Sequence, residues 1–179
     1  MNERSGLANR RPTTINRWVG EGSVWAHNNY YPQADANSIS SLPQEVRAVI
    51  NAAATARAAR ETDISEGRSD AYRFSANFMA VIVETASGIQ THIEIGTRGK
   101  SNHSEPKMLA WMQSVGVIYV IAAFSEHVPC KSCRIVAHKM RQLFGSFKIH
   151  YAVNISIDGI ASNQAMHNWW NSSTVYSGP

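Results

Sequence analysis

The feature that most limits how this chain can fold is an unbroken apolar run, Val117 to Phe124, with a helix-forming stretch on each side. The run has strand length, and a strand that is apolar at every position has to be covered on both faces. Before it, Glu105 to Val115 predicts a helix with Met108, Leu109 and Met112 on one face. After it, Cys130 to Phe144 predicts another, with Ile135, Val136, Met140 and Leu143 inward and Gly145 as its stop. Arg73 to Thr85 and Ile89 to Ile95 read as a β-hairpin turned at Ala86-Ser87-Gly88. Lys148 to Ile157 alternates as a further strand, and Ile160 to Trp170 reads as a last, weaker helix. The Ala-rich stretch Val46 to Arg60, opened by Ser41-Leu42-Pro43, has high helix propensity throughout. Glu61 to Asp70 reads as an acidic loop and Gly96 to Asn102 as a Gly-punctuated basic one. This order predicts an α/β three-layer sandwich, a mixed sheet of four or five strands with helices on both faces.

The chain of 179 residues is one domain's worth of sequence, and its 44% apolar content suits a packed core. Residues 43–179 are expected to form that domain. Residues 1–42, rich in Asn, Ser and Gly, read as an irregular leader, partly ordered against the core through Trp18, Trp25, Tyr30 and Tyr31. No apolar run approaches the roughly 20 residues that cross a bilayer, so no membrane partner is expected. Met1 to Arg17 has no apolar segment of the kind a Sec signal needs.

Charge is unevenly placed. Arg98 to His150 holds eight Lys/Arg against Glu105 and Glu126, whereas Glu61 to Thr97 holds six acids against Arg68 and Arg73. A basic half points to an anionic partner, nucleic acid first, although a solvated positive face gives the same pattern.

The chain has two cysteines, Cys130 and Cys133. A disulfide at this spacing closes a tiny loop and adds little stability, so a metal or redox pair is the better reading. Pro129-Cys130-Lys131-Ser132-Cys133 opens the helix after the apolar strand, and His103-Ser104-Glu105 opens the helix before it. One imidazole and two thiolates are three ligands for a tetrahedral zinc ion, leaving a fourth position for water. The helix N-terminus favours the thiolate form of the cysteines, and Glu105, two residues from the histidine, is placed to act as acid and base without binding metal. Two other readings stand beside this one. A fourth ligand from His92, His127 or His138 would close the site into a structural zinc, and the cysteines alone could be a thioredoxin-like redox pair.

His103-x-Glu105 followed by Pro129-Cys130-x-x-Cys133 resembles the signature of the zinc-dependent cytidine deaminase superfamily. The resemblance runs from about Tyr72 to Ile157, and within the superfamily it is closest to the deaminase domains of bacterial polymorphic toxins. It implies Zn²⁺ held by His103, Cys130 and Cys133, with Glu105 as the catalytic acid/base that turns cytosine into uracil. It implies a nucleic acid substrate, DNA before RNA and single strands before duplex. It also implies a delivered effector acting in a target cell's cytoplasm and a cognate immunity protein. Ser125 and His127, before Pro129, are substrate-contact candidates because that segment borders the base pocket in the family, and Asn102 and Ser104 flank the histidine. The segment Ser125-Glu126-His127-Val128 departs from the family's commoner patterns. Alternatives are a deaminase of free cytidine or nucleotides, a deaminase of adenine, and a non-enzymatic zinc-stapled binding module. Most aromatics in the basic half (Trp111, Tyr119, Phe124, Phe144, Phe147) fall on inward periods. Trp169-Trp170 either stacks bases or packs under the sheet.

Overall fold

The computed structural model describes residues 29–66, 76–97, 102–154 and 159–178. After a short 3-10 helix (Ala36–Ser41) come four α-helices and four strands: α1 (Gln44–Ser65), β1 (Asn77–Thr85), β2 (Gly88–Gly96), α2 (Ser104–Ser114), β3 (Val117–His127), α3 (Lys131–Phe144), β4 (Ile149–Val153) and α4 (Gly159–Ser172). The sheet order is β2-β1-β3-β4. β1 runs antiparallel to both β2 and β3, and β4 runs parallel to β3, so the sheet is mixed as expected. Beyond β4, Ala34 N donates to the Tyr151 carbonyl (2.7 Å) and Tyr151 N to that of Pro32 (3.1 Å), which lays part of the leader along the sheet edge.

Strand alternation sorts the two layers. Met79, Val81 and Val83 of β1 and Ala123 of β3 face a core built with Met108 and Met112 of α2 and Met140 of α3. Ala80 of β1 and Ala122 and Phe124 of β3 face the opposite core, with Val49, Ile50 and Ala53 of α1 and Trp170 of α4. The same pleat puts Asn77, Ser125 and His127 on the α2/α3 face and Phe78 and Glu126 on the α1/α4 face.

Several boundaries differ from expectation. The predicted loop from Glu61 does not begin there; α1 continues to Ser65 because Glu61 is buried one turn beyond Arg57 and bonds to it (Nη1 to Oε1, 3.0 Å). Glu66 caps α1, residues 67–70 of that predicted loop and Arg73 to Ser75 fall outside the described residues, and β1 starts at Asn77. β3 runs on to His127, so Ser125 and His127 are strand residues rather than loop residues. β4 ends at Val153. Ile135 and Leu143 do not point inward: they are 49% and 39% exposed. The inward face of α3 is Cys133, Ala137, Met140, Arg141 and Phe144, turned so that the Arg141 guanidinium lies 4.4 Å from the Tyr30 ring, 4.9 Å from Tyr31 and 5.4 Å from Phe147.

The α1 face carries a buried polar cluster. Glu126 accepts from Arg57 Nε (2.7 Å) and Nη2, from Trp170 Nε1 (2.7 Å) and from the Phe78 N–H (2.9 Å). Arg57 Nη2 also donates to the Ala76 carbonyl (2.6 Å). Burial works against the Arg57 charge, but Glu126 and then Glu61 outweigh it and hold its pKa above the ordinary arginine value. Breaking a buried pair of this kind by removing one partner costs about 3–5 kcal/mol. Trp170 is fully buried here and so packs under the sheet, whereas Trp169 is partly buried and donates to the Ala34 carbonyl (2.9 Å).

Candidate metal centre

Both motifs land at helix starts on one face of the sheet. His103 is the N-cap of α2, with extended backbone (φ −66°, ψ 153°), and Cys130 is the N-cap of α3 (φ −64°, ψ 168°). The Cys130 side chain caps its own helix, whereas that of His103 makes no cap hydrogen bond. Cys133, one turn into α3, points back to the same spot, and the Cys130 sulfur accepts the Cys133 N–H (3.4 Å). The close approach of β2 and α2 depends on Gly96, where a Cβ would stand 2.5 Å from the Ser104 backbone nitrogen.

The three donor atoms converge: His103 Nδ1 lies 3.0 Å from Cys133 Sγ and 3.7 Å from Cys130 Sγ, and the two sulfurs are 3.0 Å apart. Tetrahedral zinc with ordinary bond lengths separates two sulfurs by about 3.8 Å and sulfur from nitrogen by about 3.6 Å. The cluster matches those spans to within an ångström. The donor set of one imidazole and two thiols therefore fits a metal ion and is compatible with zinc. Among the described residues, His92, His127 and His138 do not join the cluster. His92 is stacked on Trp111, with ring centroids 3.9 Å apart, and bonds to Glu94 (2.9 Å).

The thiols are unequal. Burial raises the Cys130 thiol, but hydrogen bonds from the Cys133 thiol, the Ser132 hydroxyl and the Cys133 N–H outweigh it, and its pKa is lowered. Burial and then the Glu105 charge push Cys133 far up. The two thiols are thus shifted in opposite directions from the ordinary cysteine value, Cys130 below it and Cys133 above it. A metal that takes both as thiolates must displace a proton from Cys133. Glu105 itself is almost fully buried (3% exposed), and its charge acts to raise both thiols.

The other sequence candidates divide. Ser104 and Ser125 are fully buried, and their hydroxyls meet at Asn77, whose Nδ2 donates to Ser104 Oγ (2.7 Å) and Ser125 Oγ (3.0 Å). His127 is half-buried at the end of β3. Its N–H donates to Asn77 Oδ1 (3.0 Å), and its Nε2 is buried with no partner among the described residues. Burial is the main reason that its pKa is lowered. Asn102 is exposed, and its carbonyl accepts from Thr97 N (2.8 Å). Sequence reasoning passed over Asn77, Arg57 and Glu126. For Arg57 a signal existed, since it continues the inward stripe Val46, Ile50, Ala53 of α1. For Asn77 there was none, because its partners lie 27 to 50 positions away.

The basic stretch is thinner on the surface than in the sequence. Arg141 is buried, Arg134 donates to the Pro129 carbonyl (3.1 Å) and Lys107 to that of Ile95 (2.9 Å). Lys131, Lys139 and Lys148 are exposed, and Arg98 and Lys100 fall outside the described residues. No described helix is long and apolar enough to cross a membrane. Comparison with protein-family models, with curated proteins and with solved structures finds no match to this chain.

Proposed function

We propose that this chain is a zinc-dependent deaminase that converts cytosine to uracil in nucleic acid, with DNA favoured over RNA and single strands over duplex. The observation that carries this reading is a buried carboxylate, Glu105, two residues beyond His103, whose imidazole meets both cysteines in a three-donor cluster. A purely structural metal has no use for an acid there. The similarity of His103-x-Glu105 and Pro129-Cys130-x-x-Cys133 to the deaminase signature supports the same conclusion.

His103, Cys130 and Cys133 would hold the zinc, which supplies Lewis acidity and makes hydroxide accessible from water near neutral pH. Glu105 is the chain's proton carrier. It takes a proton from water, delivers it to the ring nitrogen beside the amine-bearing carbon, and passes a second proton to the departing amino group. Water is consumed, ammonia leaves, and the base keeps the oxygen. His127, with its free buried nitrogen, is the candidate base contact, and Asn102 the candidate sugar or base-edge contact. Lys131, Lys139 and Lys148 would meet phosphates. The likeness of His103-Ser104-Glu105-Pro106-Lys107 to polymorphic-toxin deaminases supports a toxin setting, with delivery into a target cell's cytoplasm and an acidic immunity protein as partner.

The test is nucleoside mass spectrometry after parallel incubation of zinc-loaded protein with single-stranded DNA, duplex DNA, RNA and free cytidine. Deoxyuridine from single-stranded DNA is expected, with activity falling steeply as salt rises. Glu105→Gln should retain one zinc per chain and lose about 10²- to 10⁴-fold in rate. Near-normal turnover by that variant removes Glu105 from its role. Product from free cytidine alone moves the substrate to nucleosides, and inosine changes the base.

A further inference from the structure

The main-chain ladder between β1 and β3 ends at the pair Met79 and Ser125. Beyond it the strands are joined by side chains instead. On the α1 face the Phe78 N–H donates to the Glu126 carboxylate, and on the metal face the His127 N–H donates to Asn77 Oδ1. The second bond has a consequence for the site. A backbone N–H can only donate, so the atom of Asn77 that receives it must be the carbonyl oxygen. That fixes the amide nitrogen toward Ser104 and Ser125 at 2.7 and 3.0 Å. The Ser104 hydroxyl, having accepted from Asn77, has its own proton free to give, and the neighbouring acceptor is Glu105 Oε2 at 3.2 Å. Ser104 stands between the ligand His103 and Glu105, and like Glu105 it is shut off from solvent.

We infer that Asn77 is a positioning residue for Glu105. It acts through a one-way relay from the His127 N–H to Asn77, from Asn77 to Ser104, and from Ser104 to Oε2 of the carboxylate. The relay holds one carboxylate oxygen and leaves the other to face the reacting groups. It also ties the end of β3, where His127 lies, to the start of α2, so that base contact and proton carrier are set by one amide. This rests on the deaminase reading for its role in turnover; the geometric claim is independent of substrate.

The experiment therefore has two arms. In the first, kcat and KM are measured for Asn77→Ala, Ser104→Ala, Ser104→Thr and the Asn77→Ala/Ser104→Ala pair, each checked for one bound zinc per chain. Misplacing a reacting group by about 1 Å costs about 100-fold. Asn77→Ala and Ser104→Ala are each expected to lose about 10- to 100-fold in kcat with KM within about threefold. The pair should be little worse than either alone, and Ser104→Thr, which keeps the hydroxyl, should recover most of the rate. In the second arm, zinc-loaded wild type and Asn77→Ala are crystallised. Glu105 should leave its Ser104 contact in the variant while His103, Cys130 and Cys133 stay on the metal. Glu105 unmoved in Asn77→Ala overturns the inference, as does full kcat in that variant or loss of zinc in step with loss of rate. A wild type silent on every substrate defeats the deaminase reading and leaves the crystallographic arm to decide the positioning role.

Discussion

Glu105 is a buried ionisable group and His150 a partly buried one, with different consequences. Glu105 accepts from the Ser104 hydroxyl (3.2 Å). His150, on β4, has a buried Nδ1 without a partner among the described residues. Its pKa is lowered by burial and then by Lys148, against a hydrogen bond with the Ala123 backbone and the more distant charge of Glu45. An imidazole whose folded pKa lies below its unfolded value of about 6.5 binds protons more readily in the unfolded chain. Above pH 6.5 this has no effect; as pH falls below 6.5 it subtracts stability, until the folded form also protonates. Thermal melts at pH 7.5, 6.5 and 5.5 should therefore show a smaller acid-side drop in Tm for His150→Gln than for wild type. Parallel pH profiles for the two proteins would remove His150 as a source of acid sensitivity.

At the scale of elements, the metal cluster exists because two helix starts and one strand end meet. β2 ends in Gly96, and α2 begins against it so closely that a methyl group at Gly96 would strike the Ser104 nitrogen. Gly96→Ala must push the start of α2 away, carrying His103 and the Ser104–Glu105 pair with it, while Cys130 and Cys133 stay on α3. We expect Gly96→Ala to keep the far-ultraviolet circular dichroism of the fold and to weaken zinc binding by about 10- to 100-fold, the range seen when support around metal ligands is lost. Competition against a chromophoric chelator measures this, and an unchanged zinc Kd would show that α2 can start elsewhere. The opposite layer has its own anchor. The Glu126 cluster ties α1, α4 and the start of β1 together behind the sheet, so the strand end that carries Ser125 and His127 is gripped from both sides.

For the molecule as a whole, a metal bound by residues of both α2 and α3 should be linked to folding, since an unfolded chain cannot bring His103 to the cysteines. With free zinc a thousandfold above its Kd the stabilisation is about 4 kcal/mol, or roughly 8–16 °C in Tm for a chain of this size. A chelator should remove that increment and added zinc restore it; a Tm indifferent to both would leave the cluster without a bound metal. The layers of this molecule were legible in the chain because hydrophobic period is local: a wholly apolar Val117 to Phe124 demands cover on both faces, and a hairpin needs only two alternating runs and a turn. The cluster of His103, Cys130 and Cys133 was legible too, since their residue types and spacing mark donors that could hold a metal ion. What the tertiary structure alone decided was everything that joins distant positions. Asn77 reads as the first polar residue of a strand, Glu126 as one acid in a basic half, and Arg141 as part of a basic surface. Packing makes the first a relay to Glu105, the second the acceptor of four hydrogen bonds, and the third a buried cation among aromatic rings. The physical reason is that a polar group taken out of water must find its partner wherever the fold brings one, and a local pattern carries no record of that partner.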